Sequence, residues 1–285
     1  GSGKSYTASG TTITFSEAVA SGDSCYLVYM GSAQQTVTAP AGSIVSSQFS
    51  SADLTLTGDV GIGVAPTSSY GRVTQIHDTG TSGANLRLTD STSGSGTGNG
   101  FEIIQIGVNN YMINRETGFI SLYTSGTEAM KIDSSGHITK PLQPAFSATN
   151  HTGQNNLSIN TSVTVNYQNE IFDQNADYNI SSSVFTAPVT GRYWFQASLI
   201  FGSPQTDATY IEFAIDTSNR NYSLALNDYD AFDQVTTYWA INGSCFADMD
   251  AGDTANARIY QVAGTAATDI YHSVEGARFS GYLVC

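Results

Sequence analysis

From Phe101 to Thr139 the chain reads FEIIQIGV, NN, YMINR, ETG, FISLY, TSG, AMKID, SSG and HIT: short segments that alternate apolar with polar, each closed by Gly, Asn or Ser. That alternation predicts strands, and Gly and Asn tolerate the positive φ that tight hairpins need. Five such strands make one sheet with one apolar face. Nothing in the neighbouring sequence supplies a layer to cover it, and a sheet with one bare apolar face does not stand alone. The simplest cover is the same sheet from a symmetry mate, so this stretch predicts a homo-oligomer.

The rest of the chain agrees with a β architecture. Charged residues are 12% of the 285, against roughly 25% in an ordinary globular protein, and Ser, Thr, Asn and Gly fill the difference. These residues bond back to nearby backbone or cost helix stability, so they disfavour long helices and favour strands and turns. Four regions are expected: a small N-terminal β region over 1–40, a connector over 41–66, a β-meander shaft over 67–140 and a compact head over 141–285. In the first, SYTASGTTITF and SCYLVYMG read as two strands around the turn at 20–23. The connector is too sparsely apolar to enclose a core, with room for one helical turn near Val45–Phe49. Ser91–Gly100 contains only Ser, Thr, Gly and Asn and reads as flexible loop. KIDSSGHITKPLQPAF, Lys131 to Phe146, is the joint: beyond it strands lengthen, aromatics concentrate and lysine disappears. Apolar runs such as RYWFQASLIF, YIEFAID, VTTYWAI and ARIYQVA, with turn signals between them, predict a jelly-roll sandwich.

Charge and motifs narrow the function. The net charge is −14, of which residues 141–285 carry −10. Such a head is repelled by phosphate backbones, so nucleic acid is not an expected partner. No run of 18 apolar residues exists to insert in a membrane. No signal peptide opens the chain, and Gly1 in place of Met suggests a trimmed piece of something longer. Cys25, Cys245 and Cys285 have no metal-ligand spacing; buried reduced thiols are the favoured reading, with a Cys245–Cys285 bridge as the other. GSGKS at the start lacks the upstream Gly and strand of a phosphate-binding loop. DMDAGD (Asp248, Asp250, Asp253) has Ile259 where a calcium loop needs Glu, and reads as a turn around Gly252. His77, His137, His151 and His272 are scattered without ligand or triad spacing. The six Asn-x-Ser/Thr triplets beyond residue 149 are read as an outcome of composition. No constellation points to catalysis, so the chain is expected not to be an enzyme.

Two resemblances refine this. PAFSA, VNYQNEIFDQNADYNISSSVFTAPVTGRYWFQASL, MDAGDTANARIY and FSGYL resemble, in order, the globular head of the complement q family, which shares its jelly roll with tumour necrosis factor. The matching positions are Phe146, Phe172, Asn175, Tyr178, Asn179, Phe185, Pro188, Gly191, Tyr193, Phe195, Gly252, Asp253, Phe279, Gly281 and Leu283. The resemblance implies a homotrimer of ten-stranded jelly rolls in which these residues are mostly core, trimer packing and turns. Upstream, GTTITFSEAVASGDSCYLVYMG, DLTLTGDVGIGVAP and GTEAMKIDSSGHI are similar to phrases of bacteriophage tail-fibre proteins. That implies an all-β homotrimeric fibre with a short-stranded, intertwined shaft and a C-terminal jelly-roll head. It implies attachment to upstream fibre or tail proteins, a place on the outside of the virion after assembly in the host cytoplasm, and binding of a bacterial surface polysaccharide or lipopolysaccharide. The alternatives are a structural or decoration fibre without a receptor, or a secreted complement-like glycan-binding module.

For the contact set, aromatic and polar residues of head loops are the candidates: Tyr210, Arg220, Tyr222, Asp228, Tyr229, Asp230 and Phe232. Acidic loops with aromatics suit sugar contact. Asp228, Asp230 and Asp233 are weak candidates for calcium, whose hard oxygen ligands they could supply; the favoured reading is a solvated loop without cofactor, and the family's acidic position near the apex is Trp239 here.

Overall fold

A computed structural model describes residues 6–9, 11–18, 20–22, 24, 59–67, 71–231, 236–272 and 276–285. The chain forms two compact units, Gly1–Gln75 and Ile76–Cys285, so the boundary expected at residue 140 falls inside the second unit. Apart from one 3-10 turn at Tyr229–Ala231, the described elements are strands. No helix among them is long and apolar enough to cross a membrane.

In the first unit β1 (Tyr6–Ser9) and β2 (Thr12–Phe15) pair antiparallel with Tyr6 opposite Phe15 and Ser9 opposite Thr12. This stretch, expected as a single strand, therefore holds two four-residue strands that pair with each other. The expected second strand, the connector helix turn and Cys25 lie outside the described residues. β3 (Val60–Ile62) pairs with β4 (Thr74–Ile76).

The meander splits into two three-stranded sheets rather than one of five strands. β5 (Ala84–Leu88), β6 (Phe101–Ile106) and β7 (Asn109–Asn114) form the first; β8 (Ile120–Thr124), β9 (Thr127–Ile132) and β10 (Ile138–Thr139) form the second. The split follows from β5, which pairs with β6 from across the Ser91–Gly100 loop and takes the edge a fifth meander strand would need. That loop is not loose. Asp90 accepts the N–H groups of Thr92 and Ser93 at 2.9 and 2.8 Å, Asn99 donates to the Ser93 carbonyl, and Gly100 N–H donates to Glu116 at 2.9 Å. The turn between β6 and β7 is Gly107–Val108, with Gly107 at φ 56°, and the two asparagines belong to β7.

Alternation gives the first sheet two unlike faces. Opposite-residue registers put Leu86, Leu88, Phe101, Ile103 and Met112 on one face. On the other, Glu102 is buried between Arg87 and Arg115: Arg87 Nε donates at 2.6 Å, Arg115 Nη2 lies at 2.8 Å and Asn85 Nδ2 donates at 3.1 Å. Hydrogen bonds from Arg115 first, then Asn85 and Arg87, outweigh desolvation and hold this carboxyl at about 2.

The head is a sandwich of two antiparallel sheets. Its strands are β11 (Ala145–Thr149), β12 (Ser162–Thr164), β13 (Asn169–Asp173), β14 (Tyr178–Asn179), β15 (Val184–Thr186), β16 (Gly191–Gly202), β17 (Tyr210–Thr217), β18 (Asn221–Asn227), β19 (Tyr238–Met249), β20 (Thr254–Val262), β21 (Asp269–Tyr271) and β22 (Arg278–Leu283). One sheet runs β13-β11-β22-β16-β19 with β21 also on β16; the other runs β14-β15-β20-β17-β18 with β12 also on β20. The chain crosses between the two sheets repeatedly, staying in one sheet only at β14–β15, β17–β18 and β21–β22, the two-layer antiparallel arrangement of a jelly roll. Between the sheets lies an aromatic core. Phe146 stacks on Tyr178 at 4.6 Å and on Phe185 at 5.0 Å, and Phe279 meets it edge-on at 5.0 Å. Buried tyrosines find partners: Tyr167 donates to Ser198 O and Tyr178 to Tyr167 O, both at 2.9 Å.

β16 fixes the direction of the head. Its start lies where the chain enters, since Leu283 N–H donates to Pro144 O and Arg192 N–H to Cys285 O. Twelve residues of strand span roughly 36 Å, so Gly202 marks the far end. Two predictions follow from this packing. A Cβ at Gly281 would run into the Phe195 ring and come within 3.0 Å of Phe146 Cε1, so Gly281→Ala is expected to cost about 1–3 kcal/mol, read as a lower melting temperature. Glu102 has a depressed folded-state pKa, so its contribution to stability is fully present above the ordinary 4.5 and lost as pH falls toward 2. Glu102→Gln is therefore expected to lower the melting temperature at pH 7, with the gap closing near pH 2; an equal gap at both pH values excludes the charge as its source.

Candidate binding surfaces of the head

The proposed contact residues do not form one site. Strand directions put Tyr210, Asp228, Tyr229 and Asp230 at the far end of the head and Arg220 and Tyr222 at the entry end, because β18 runs its seven residues between them. That strand separates the groups by roughly 20 Å. Arg220 sits in the turn closing β17 onto β18, where its carbonyl accepts Thr217 N–H at 2.9 Å and its own N–H donates to Thr217 Oγ1 at 3.1 Å. Tyr229 is a correction: it is buried, its ring edge-on to Phe201 at 6.1 Å and to Trp239 at 6.4 Å. An alternation-free loop sequence conceals this, because the ring turns inward over the end of the sandwich. Asp228 Oδ1 caps its own loop by accepting Asp230 N–H at 3.1 Å. Phe232 and Asp233 lie outside the described residues, and no metal-like cluster of three His, Cys, Asp or Glu occurs among those described.

The other acidic motif is a turn. Gly252 takes φ +93°, and Asp253 accepts from Ser218 Oγ at 2.7 Å, Asn219 Nδ2 at 2.6 Å and Asp250 N–H at 2.7 Å. These bonds, Ser218 foremost, hold its carboxyl below the ordinary aspartate value. Cys245 and Cys285 are not bridged. Burial raises the Cys245 thiol to about 11, as expected of an inert thiol, whereas Cys285 is exposed rather than buried.

Tyr210 belongs to a cleft that the sequence motifs did not single out. On the outward face of the second sheet, Tyr210, Glu212, Ala214 and Asp216 alternate along β17, and Arg258 of β20 stands opposite Ala214. The small alanine leaves room for the guanidinium, which meets Glu212 Oε2 at 2.8 Å and Asp216 Oδ2 at 2.6 Å. Tyr210, Tyr260 and Ser162 complete a cleft of about 360 Å³. The period-2 spacing of YIEFAID was the available signal; the pairing to Arg258 was not.

The outward face of the first sheet is aromatic. Register places Tyr282, Trp194 and Phe246 in one row, with Trp194 and Tyr282 rings 5.5 Å apart, and Phe172 two residues along the same face. Phe246 is 62% exposed.

No family model and no curated protein matches the sequence. Among solved structures, the chain is similar to the globular domain of zebrafish complement 1qA (20% identity, 50% of this chain and 98% of that one, TM-score 0.37). It is also similar to Eiger TNF from S. frugiperda (12%, 50% and 93%, TM-score 0.39) and to murine APRIL (10%, 50% and 99%, TM-score 0.37). The jelly-roll assignment rests on the strand order and register given above.

Removing Arg258 leaves Glu212 and Asp216 adjacent and unneutralised in a site where the arginine side chain is only 10% exposed. Arg258→Met is expected to cost about 3 kcal/mol, and the triple change with Glu212→Gln and Asp216→Asn to recover much of it. Urea unfolding of both variants distinguishes a charge imbalance from lost packing.

Proposed function

We propose that this chain is a non-enzymatic, homotrimeric tail-fibre adhesin of a bacteriophage, which holds its head outward and binds a bacterial surface polysaccharide or lipopolysaccharide. The observation that carries self-association is the uncovered apolar surface. Leu88, Ile103 and Met112 stand on one face of the first shaft sheet, with Met112 57% exposed, and Phe172, Phe246 and Tyr282 on one face of the head. Contiguous exposed apolar faces mark interaction surfaces, and three copies around an axis bury both without any second kind of partner. The fibre reading is supported by the upstream phrases and by a chain that changes at residue 140 from short sheets to a compact sandwich. The head's acidity favours uncharged glycans over anionic ones. A structural or decoration fibre uses the same apolar faces, and only adhesion separates it.

The full chain is expected to sediment as three chain masses, and Leu88→Glu with Phe246→Glu to reduce it to one. Labelled wild type is expected to coat susceptible bacterial cells and to be competed off by their lipopolysaccharide or capsule. A folded wild-type monomer overturns the trimer. A trimer that adheres to no cell in a broad panel leaves the decoration fibre in its place.

A further inference from the structure

The far end of the head carries a groove that none of the expected contact residues marks. It is built by register. β16 ends at Gly202, which pairs with Tyr238 of β19 on one side and Asp269 of β21 on the other. Directly opposed residues of antiparallel strands share a face, so Tyr238, Gly202 and Asp269 form one row, and the glycine leaves the middle of the row open. Tyr271, two residues along from Asp269, shares that face, and its ring meets Tyr238 at 4.7 Å with the planes 63° apart. The result is a groove of about 380 Å³. Two aromatic rings wall it, a carboxylate stands beside them and backbone forms its floor. Asp269 is held in place because its Oδ1 accepts Asn156 N–H at 2.6 Å, and a carboxylate retains acceptor capacity beyond one such bond.

We infer that this apical groove is the sugar subsite of the adhesin, taking an uncharged pyranose with its C–H face on Tyr238 and Tyr271 and a hydroxyl donated to Asp269. The inference rests on the adhesin reading above. Three observations carry it. Tyr238 is 55% exposed and Tyr271 39%, an aromatic pair outside the core on the part of the head most distant from the chain's entry. The rim is supplied by Asn155, Ser203 and Thr237, amide and hydroxyl groups that match a polyhydroxylated ligand and offer little to a bare alkyl group. The acidic head disfavours phosphorylated or carboxylated sugar units by charge. One shallow groove binds weakly; three on one particle supply avidity of about 10²-fold or more.

The test uses the full chain against immobilised lipopolysaccharide and capsular polysaccharide preparations, with free D-galactose and N-acetyl-D-glucosamine as competitors. Gly202→Val fills the groove from its floor, where a Cβ meets Asp269 Cβ at 3.5 Å and Tyr271 Cβ at 3.8 Å, ordinary contact. Tyr238→Ala removes a wall and Tyr238→Phe keeps it; Val189→Ala, exposed at the entry end, is the control. Gly202→Val and Tyr238→Ala are expected to weaken binding at least tenfold with assembly and melting temperature unchanged, while Tyr238→Phe and Val189→Ala bind as wild type. If Tyr238→Ala disturbs assembly, Gly202→Val decides alone. Undiminished binding by Gly202→Val overturns the groove and leaves the adhesin standing. Wild type that binds nothing in the panel overturns the adhesin reading itself.

Discussion

The head depends on one strand being two-faced. Along β16 the inward residues Tyr193, Phe195, Ala197, Leu199 and Phe201 are fully buried, while Trp194, Gln196, Ser198, Ile200 and Gly202 point the other way. Hydrogen-bonding partners on both edges, β19 on one and β22 then β21 on the other, leave it no freedom to slip. A slip of one residue would exchange the two sets, placing Trp194 and Gln196 among the stacked rings around Phe146 and exposing Phe195. Both the aromatic outer row and the apical groove are consequences of the core's demand for that register. The outward surface of the first sheet is the reverse side of the packing.

The two meander sheets work under the opposite constraint. They have three strands each, and burial in them stops at a few side chains. Glu102 shows how the first sheet uses its polar face: it has a carboxylate satisfied by two arginines and an asparagine. Such a cluster favours one alignment of β5, because a misaligned strand takes Asn85 and Arg87 away from Glu102 and leaves it Arg115 only. Alignment comes from the polar face, and the apolar face takes no part in it.

How far the sequence could be read follows from whether a feature is local. The sandwich was legible, since period-2 runs such as RYWFQASLIF state both that a strand exists and which residues face inward. The turn at Gly252 was legible for the same reason. What depends on pairing was not. β5 reaches β6 across a loop that composition alone paints as loose, so one sheet became two. Arg258 meets Glu212 and Asp216 from 42 or more positions away in the chain, and Tyr238, Gly202 and Asp269 are brought to one row only by strands from three separate stretches. Tyr229 failed differently: an aromatic between aspartates looks solvated, yet the ring closes the end of the core while its flanking carboxylates stay outside.

This difference also bears on where specificity can change without loss of the fold. Residues of the stacked core answer to several neighbours at once; Phe146 alone contacts four rings, so a substitution there is felt throughout the sandwich. Tyr238 and Asp269 answer to one row. Their backbone is held by the ladder whatever side chain they carry, and the groove between them is set by the single missing side chain of Gly202. A surface of this kind tolerates exchange of its rings and rim while the register beneath stays constant, which is the physical condition for one scaffold to present different surfaces.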